Sequence, residues 1–513
     1  MTKELTPDFI KYRGAGMGLM RRSNPSILLG YERRLEKFAR ELIQELYNNY
    51  AGLKSSVEIA RIYKRHHRLF SPGTINELSK YKDSSRRARL LLDFVVTQYF
   101  ENISRENTEI ILSHETQSTV EYDGKIIPCR AIPALLANEG DMDKRHALSE
   151  SRIARRSEIN SLKLEYFSKL NACAREIGFK DYVGVYEEIR RLCLPDLTQI
   201  IRPFLQRTEA IYFHMLRKYL AANSVPPDQA RPCDMLFLFR GPQFDRYFRV
   251  ERLKPVIRST LGGLGIDVEQ QANITLDVEN RPLKIPRSFC APVRIPSEII
   301  LVLAPRGGLN DFRSALHELG HAQHYAHTDH KLSFAYKYCG DTAVTEAYAF
   351  LFDNLPFNRH WLERELNFDE PTKYLKLFQF RLLYMLRYLA VEVLYEQELY
   401  RSPNISKMGK RYADLFGAYM GIHFDERDYL ADIDKGFYCI SYLRAMALAS
   451  QLQQYLERNY GEKWFNNLKA GEFLKSLWKS GLKYDAIELA RNLGFRGIDF
   501  ELVIEKITGG LSA

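Results

Sequence analysis

The sequence predicts a mainly α-helical protein with a small β-sheet set beside one helix. Three observations point there. Apolar residues recur at three- and four-residue steps through most of the chain, the spacing of one helix face. Strand composition is confined to two short regions, around residues 119–127 and 274–304. The second region runs directly into a helical segment, Ser314-Ala315-Leu316-His317-Glu318-Leu319-Gly320-His321-Ala322-Gln323-His324, around which the rest of the chain is organised.

The first 25 residues are mixed and turn-rich. Gly14-Ala15-Gly16-Met17-Gly18 reads as a flexible spot rather than a phosphate loop, because the Gly-Lys-Ser/Thr ending is missing. From Ser26 to about Ile103 the period is helical, as in Leu35, Ala39, Leu42, Ile43 and Leu46. Pro72-Gly73 breaks this region, and Asp83-Ser84-Ser85 can cap the helix that follows. Thr119 to Ile127, with Asp123-Gly124 at its centre, reads as a hairpin. Long amphipathic helices follow from about Asp141 to Ile177 and again after Tyr182. Pro195 and Pro203 mark a boundary, dividing an N-terminal helical region (1–195) from the remainder (196–513). Pro226-Pro227 is a loop, and Leu261 to Asp267 a turn-rich connection. Ile274 to Asp277 and Ala291 to Ala304 have strand composition, with Pro292 and Pro296 at positions an edge strand tolerates. Gly307-Gly308 supplies a turn, and Asn310 or Asp311 can cap the next helix, whose buried face is Phe312, Ala315, Leu316 and Leu319. From Asp341 onward the chain reads as helix. Thr345 to Asp353 forms one, Phe378 to Tyr400 a buried core helix, and Phe437 to about Arg458 a long one.

The chemistry concentrates in His-Glu-x-x-His. His317 and His321, four apart, share a helix face and can hold one metal ion between them. Glu318 is not a ligand in such a pattern; its carboxylate can take a proton from a metal-bound water. Zinc with an open coordination position lowers the pKa of that water to about 7. Glu346, on the next helix, is available as a third ligand. Asp353 lies seven residues further on the same face, and either orients a ligand histidine or is an ordinary surface acid. Tyr438 and Tyr442 share a face; they are either core aromatics or phenols that donate to a developing oxyanion. An edge strand beside a metal cleft can dock an extended peptide, or serve only as structure.

Composition bounds the alternatives. At 45% hydrophobic and 27% charged residues the chain has a globular composition. No run approaches 18 apolar residues, which argues against a membrane span. Met1 to Pro7 lacks an apolar signal-peptide core. Seven cysteines without a Cys-x-x-Cys pair fit reduced thiols in a cytoplasm. The formal charge of +10 includes basic clusters at Lys64-Arg65-His66-His67-Arg68, Arg86-Arg87-Ala88-Arg89 and Arg152 to Arg156. Acidic residues are interleaved with them, so they read as solvated helix faces rather than a nucleic-acid surface.

The chain resembles the thimet oligopeptidase and oligopeptidase F family of zinc metallopeptidases. His317-Glu318-Leu319-Gly320-His321-Ala322-Gln323-His324 is similar to the family's His-Glu-Phe-Gly-His-Ala-Leu-His, and Glu346 falls at the spacing of its third ligand. Asp277, Arg281 and Lys284 are similar to its Asp-x-x-x-Arg-x-x-Lys strand region, and Phe437 to Tyr442 to its tyrosine-rich substrate segment. The match is clearest over roughly residues 260–510. The resemblance implies a large helical zinc-peptidase fold with a deep cleft between two lobes. It also implies one Zn2+ per chain, short peptide substrates and no nucleic-acid or membrane partner; oligomeric state stays open. Family members usually carry a histidine just before the tyrosine segment, where this chain has Leu430-Ala431-Asp432-Ile433-Asp434-Lys435. His423 is the nearest histidine and need not fill that place. His324, Asp353 and His423 are candidates for contacts behind the metal or with substrate. The expected activity is metalloendopeptidase. The rivals are a zinc carboxypeptidase, and a non-catalytic helical peptide- or nucleic-acid-binding protein with a structural zinc; retention of Glu318 speaks against the last.

Overall fold

The computed structural model describes residues 25–431, 433 and 435–512. The Gly14–Gly18 stretch, Asp432 and Asp434 lie outside them. The described chain is 69% helical with two small sheets, the mainly α architecture expected. No described helix is long and apolar enough to cross a membrane.

The first long helix (α1, Pro25–Tyr50) buries Leu35, Phe38 and Ala39. Pro72 begins a helix rather than ending one. It is the first residue of Pro72–Ser79, where its missing N–H costs nothing, and Ser71 Oγ accepts the Thr74 N–H at 3.3 Å. Ser85 caps the next long helix (α2, Arg86–Ile103) through the Ala88 N–H. The hairpin forms as expected (β1, Thr119–Tyr122; β2, Lys125–Pro128); Asp123 and Gly124 both adopt the left-handed conformation that a two-residue hairpin turn requires. The helix expected from Asp141 to Ile177 is two, Met142–Ser157 and Asn160–Glu176. Pro195 sits in the first turn, and Pro203 in the interior, of one helix (α3, Leu194–Arg207).

A further helix (α4, Val250–Gly263) leads to the second sheet, three strands in the order β3–β5–β4 (β3, Ile274–Asp277; β4, Phe289–Arg294; β5, Glu298–Val302). The Ala291–Ala304 stretch is therefore a hairpin turning at Ile295-Pro296, not one strand. β4 runs antiparallel to β5 and forms an edge, carrying Pro292. Alternation sorts β5: Ile300 and Val302 pack with Ala291 and Val293 against Ile43 and Tyr47 of α1, whereas Ile299 and Leu301 pack against Leu316 and Leu319 of the His-Glu-x-x-His helix (α5, Leu309–His327).

α5 starts without a side-chain cap. Asp311 accepts the Arg306 and Gly307 N–H groups and so ties down the glycine turn before the helix, while Asn310 bonds Arg381. After a short helical turn at Phe334–Tyr338, the helix α6 (Thr342–Asp353) packs between α5 and a long C-terminal helix (α8, Tyr438–Tyr460), with α7 (Pro371–Arg401) in the core as predicted. Two large apolar cores result. One joins the N-terminal helices to α7, part of α8 and the last helix (α10, Phe500–Ser512); the other surrounds α4, β5, α5 and α6. α8 serves both, through Cys439, Ile440 and Leu443 on one side and Ala445, Leu448 and Leu452 on the other. A short helix (α9, Ala486–Asn492) closes against α6 and α8.

Candidate metal centre

The centre is set by how closely α5 and α6 approach. A Cβ on Gly320 would lie 2.6 Å from Ala349 Cα and from the Tyr348 carbonyl oxygen, so the two helices touch backbone to backbone there. Gly320 is followed by His321. At this contact His317 Nε2 stands 3.4 Å, and His321 Nε2 3.6 Å, from Glu346 Oε2. Ligands at 2.0–2.1 Å from a tetrahedral zinc are themselves separated by roughly 3.4 Å. Glu346 is buried, and its Oε2 has no hydrogen-bond partner among the described residues; Oε1 accepts the Tyr438 phenol at 2.7 Å. Burial alone would raise the Glu346 carboxyl, but the two histidines outweigh it and hold it well below the usual carboxylate range. At His317 burial is likewise outweighed, by Glu346, Asp353 and Glu318, which favour positive charge. Two imidazoles, an orphaned carboxylate oxygen and a field that favours a cation fit a metal such as zinc.

Each imidazole has a polar group behind it, hydrogen-bonded only at His321. His321 Nδ1 is 2.8 Å from Thr345 Oγ1. His317 Nδ1 is 4.0 Å from Asp353 Oδ2, and Asp353 is buried and paired with Arg313 at 2.8 Å. Asp353 is thus not a surface acid. Glu318 is half-buried beside the cluster of His317, His321 and Glu346 and not part of it. Burial raises its carboxyl above the ordinary range; the histidines and the Cys290 backbone N–H, on the edge strand β4, oppose this only in part.

Other candidates divide. Tyr438 bonds Glu346 rather than facing open space, and Tyr442 packs edge-on against Tyr438 and Phe350. His324 is fully buried, with Nδ1 3.1 Å from Thr345 Oγ1, so it lies behind the centre and not toward substrate; burial pushes its pKa down to about 3. His423 is exposed; its N–H is bonded to the Ala230 carbonyl, and its ring lies near Asp425. Asp277, Arg281 and Lys284 form an ion-paired clasp that also bonds α1, through Tyr47, and Ala51 just beyond it. Tyr325, which sequence reasoning passed over, stacks on His321 at 6.2 Å and 13°, and its phenol lies near Glu318, Glu346 and Cys290. Its position four residues after His321 was the available signal.

No protein-family model and no curated protein sequence matches the chain. Solved structures match over nearly its whole length. A structure assigned as oligoendopeptidase F from Bacillus anthracis str. Ames has a TM-score of 0.62 at 14% identity, covering 96% of this chain and 97% of its own. PZ peptidase A with an inhibitor reaches 0.63 at 15% identity, with 96% and 97% covered. The chain has the fold of these peptidases. A carboxypeptidase from Pyrococcus furiosus shares it too, at a TM-score of 0.55 and 13% identity, with 95% and 99% covered. The fold expected from the family resemblance is the one found.

Proposed function

We propose that this protein is a zinc-dependent endopeptidase acting on short peptides, with one zinc held by His317, His321 and Glu346. The observation that carries this reading is the meeting of two imidazole nitrogens and an unpartnered buried carboxylate oxygen at tetrahedral spacing, with Glu318 beside them and outside the ligand set. When bound, zinc with an open position acts as a Lewis acid and makes hydroxide available near neutral pH. The remaining work falls to the chain. Glu318 accepts a proton from the attacking water and returns it to the leaving amine; its raised pKa brings it closer to the range where it can do both. Tyr438, by donating to Oε1, leaves Glu346 Oε2 for the ion. We assign the oxyanion-donor role to Tyr442, edge-on against Tyr438. The edge strand β4, packed against α5, suits an extended peptide backbone.

The endopeptidase reading is favoured over a carboxypeptidase by the closer fit to the oligoendopeptidase F and PZ peptidase structures than to the carboxypeptidase. Digesting a mixed peptide library and mapping the cuts by mass spectrometry tests it. Internal cuts that vanish on chelation are expected. Trimming confined to C-termini would assign a carboxypeptidase, and a zinc-loaded protein that cuts nothing would assign a structural metal.

A further inference from the structure

A cavity of about 170 Å³ lies apart from the metal centre, with α2 and α3 on one side and α6, α8 and α9 on the other. None of His317, Glu318, His321, Glu346, Tyr438 or Tyr442 lines it. Leu90, Ile189, Leu197, Ile440, Ile487 and Phe500 supply apolar wall. An apolar cavity of about 150 Å³ holds benzene, so a branched or aromatic side chain has room here. Sites for small molecules share this build: apolar walls with a few placed polar groups, between two parts of a fold.

The polar groups narrow the choice. Five arginines and four aspartates share the wall. Arg190 pairs with Asp93 at 3.0 Å, and Arg444 with Asp341 at 2.8 Å; Asp485 accepts the Glu488 N–H at 2.9 Å. Arg86 reaches from α2 to α9, 2.5 Å from Glu488 and 3.7 Å from Asp485, yet its Nε is buried with no partner among the described residues. Ser441, 7% exposed on α8, accepts the Thr342 hydroxyl at 2.9 Å, and no acceptor among the described residues takes its own hydrogen. A buried donor left without an acceptor costs stability. Two such donors, one of them cationic, belong to a single cavity, and a carboxylate has the lone pairs to take both. Asp196, half-buried in the same wall, makes no ion pair among the described residues and can meet an ammonium.

We propose that this cavity is a binding site for a small carboxylate with an apolar tail, held by Arg86 and Ser441. The source of that chemistry is either a short-chain acid or a free apolar amino acid, whose ammonium would face Asp196. The site does not depend on the metal reading.

Isothermal titration of the full chain tests this with L-leucine and with 4-methylpentanoate, the same skeleton without the ammonium. A chelator is present throughout, so no carboxylate is bound by a metal. At least one of the two should bind saturably, one per chain. The uncharged 4-methylpentanamide should bind at least about tenfold more weakly. Arg86→Gln should weaken carboxylate binding on the order of 10- to 100-fold, and Ser441→Ala about tenfold. Leu197→Phe fills the cavity without touching either donor and should abolish binding. Tighter binding of leucine, lost in Asp196→Asn, would assign a free amino acid; equal or tighter binding of 4-methylpentanoate would assign a short-chain acid. The proposal is overturned if neither carboxylate binds the wild type, if the amide binds as tightly, or if R86Q, S441A and L197F all leave binding unchanged.

Discussion

Gly320→Ala tests whether the backbone contact between α5 and α6 sets the ligand spacing. The added Cβ would stand 2.6 Å from Ala349 Cα and Tyr348 O and 3.0 Å from Ala349 N, all backbone atoms that cannot rotate away. Carbon contacts settle near 3.5 Å, so the helices must part by about 0.9 Å. The ligand distances across the same contact, now 3.4 and 3.6 Å, would widen toward 4.3–4.5 Å if both helices move rigidly, beyond the roughly 0.2 Å tolerance of metal–ligand bonds. Overpacking of this kind costs about 1–3 kcal/mol; the helix propensity of alanine returns up to about 1 kcal/mol. The zinc-free protein should therefore be destabilised by up to about 2 kcal/mol. Closing the gap around the ion should weaken zinc binding on the order of 10- to 100-fold, the same strain expressed as affinity. Thermal unfolding of the zinc-free protein and chelator competition measure the two effects. Gly30→Ala is the control: Gly30 lies exposed on α1 with nothing within 4 Å of its Cβ position, so it should gain stability by up to about 1 kcal/mol and leave zinc binding unchanged. A Gly320→Ala protein as stable as wild type, with undiminished zinc affinity, would show that this contact does not set the spacing.

Asp341 caps α6 at the Ala343 N–H, pairs with Arg444 of α8 at 2.8 Å and accepts the Ala486 N–H of α9. Burial would raise its carboxyl, but Arg444 and these N–H groups outweigh it and lower it. Its stabilisation is thus present above the ordinary Asp pKa and is lost as the pH falls toward the lower folded value. Asp341→Asn should cost on the order of 2–4 kcal/mol at pH 7, and the gap from wild type should narrow below about pH 4; denaturant unfolding at the two pH values checks it, and a gap that widens in acid would contradict it. Tyr438→Phe should weaken zinc binding about tenfold through loss of the bond to Glu346, read by chelator competition. Tyr442→Phe should instead lower kcat on the order of 10²-fold with little change in KM; unchanged kinetics would make Tyr442 a packing residue.

What the sequence disclosed was local. Four-residue spacing placed His317 and His321 on one face, and Asp123-Gly124 specified its turn, because each depends on a few neighbouring backbone angles. Seven-residue spacing also brought Asp353 behind His317, since one helix carries Glu346 and Asp353 together. Features decided by another segment were not legible. Asp311 could cap α5, yet the turn at Gly307 offered it N–H groups outside the helix. Pro72 and Pro203 read as breaks, although one falls in a first turn and the other is tolerated inside α3. Thr345 looked like any helical threonine until α5 brought His321 and His324 to the same oxygen. Gly320 looked like a weak helix residue; only the packing of α6 shows why a side chain has no room there.

In the proposed mechanism Glu318 moves the proton while His317, His321 and Glu346 hold the ion. Glu318→Gln keeps the size of the side chain and cannot accept a proton. The decisive measurement is cleavage of an internally quenched short peptide by wild type and E318Q at equal, measured zinc content. The wild type should cleave, stop on chelation and recover on adding zinc. E318Q should retain about one zinc per chain and lose about 10²- to 10⁴-fold in rate. An E318Q protein that cleaves as fast as wild type, while chelation still stops the reaction, would remove Glu318 from the proton transfer.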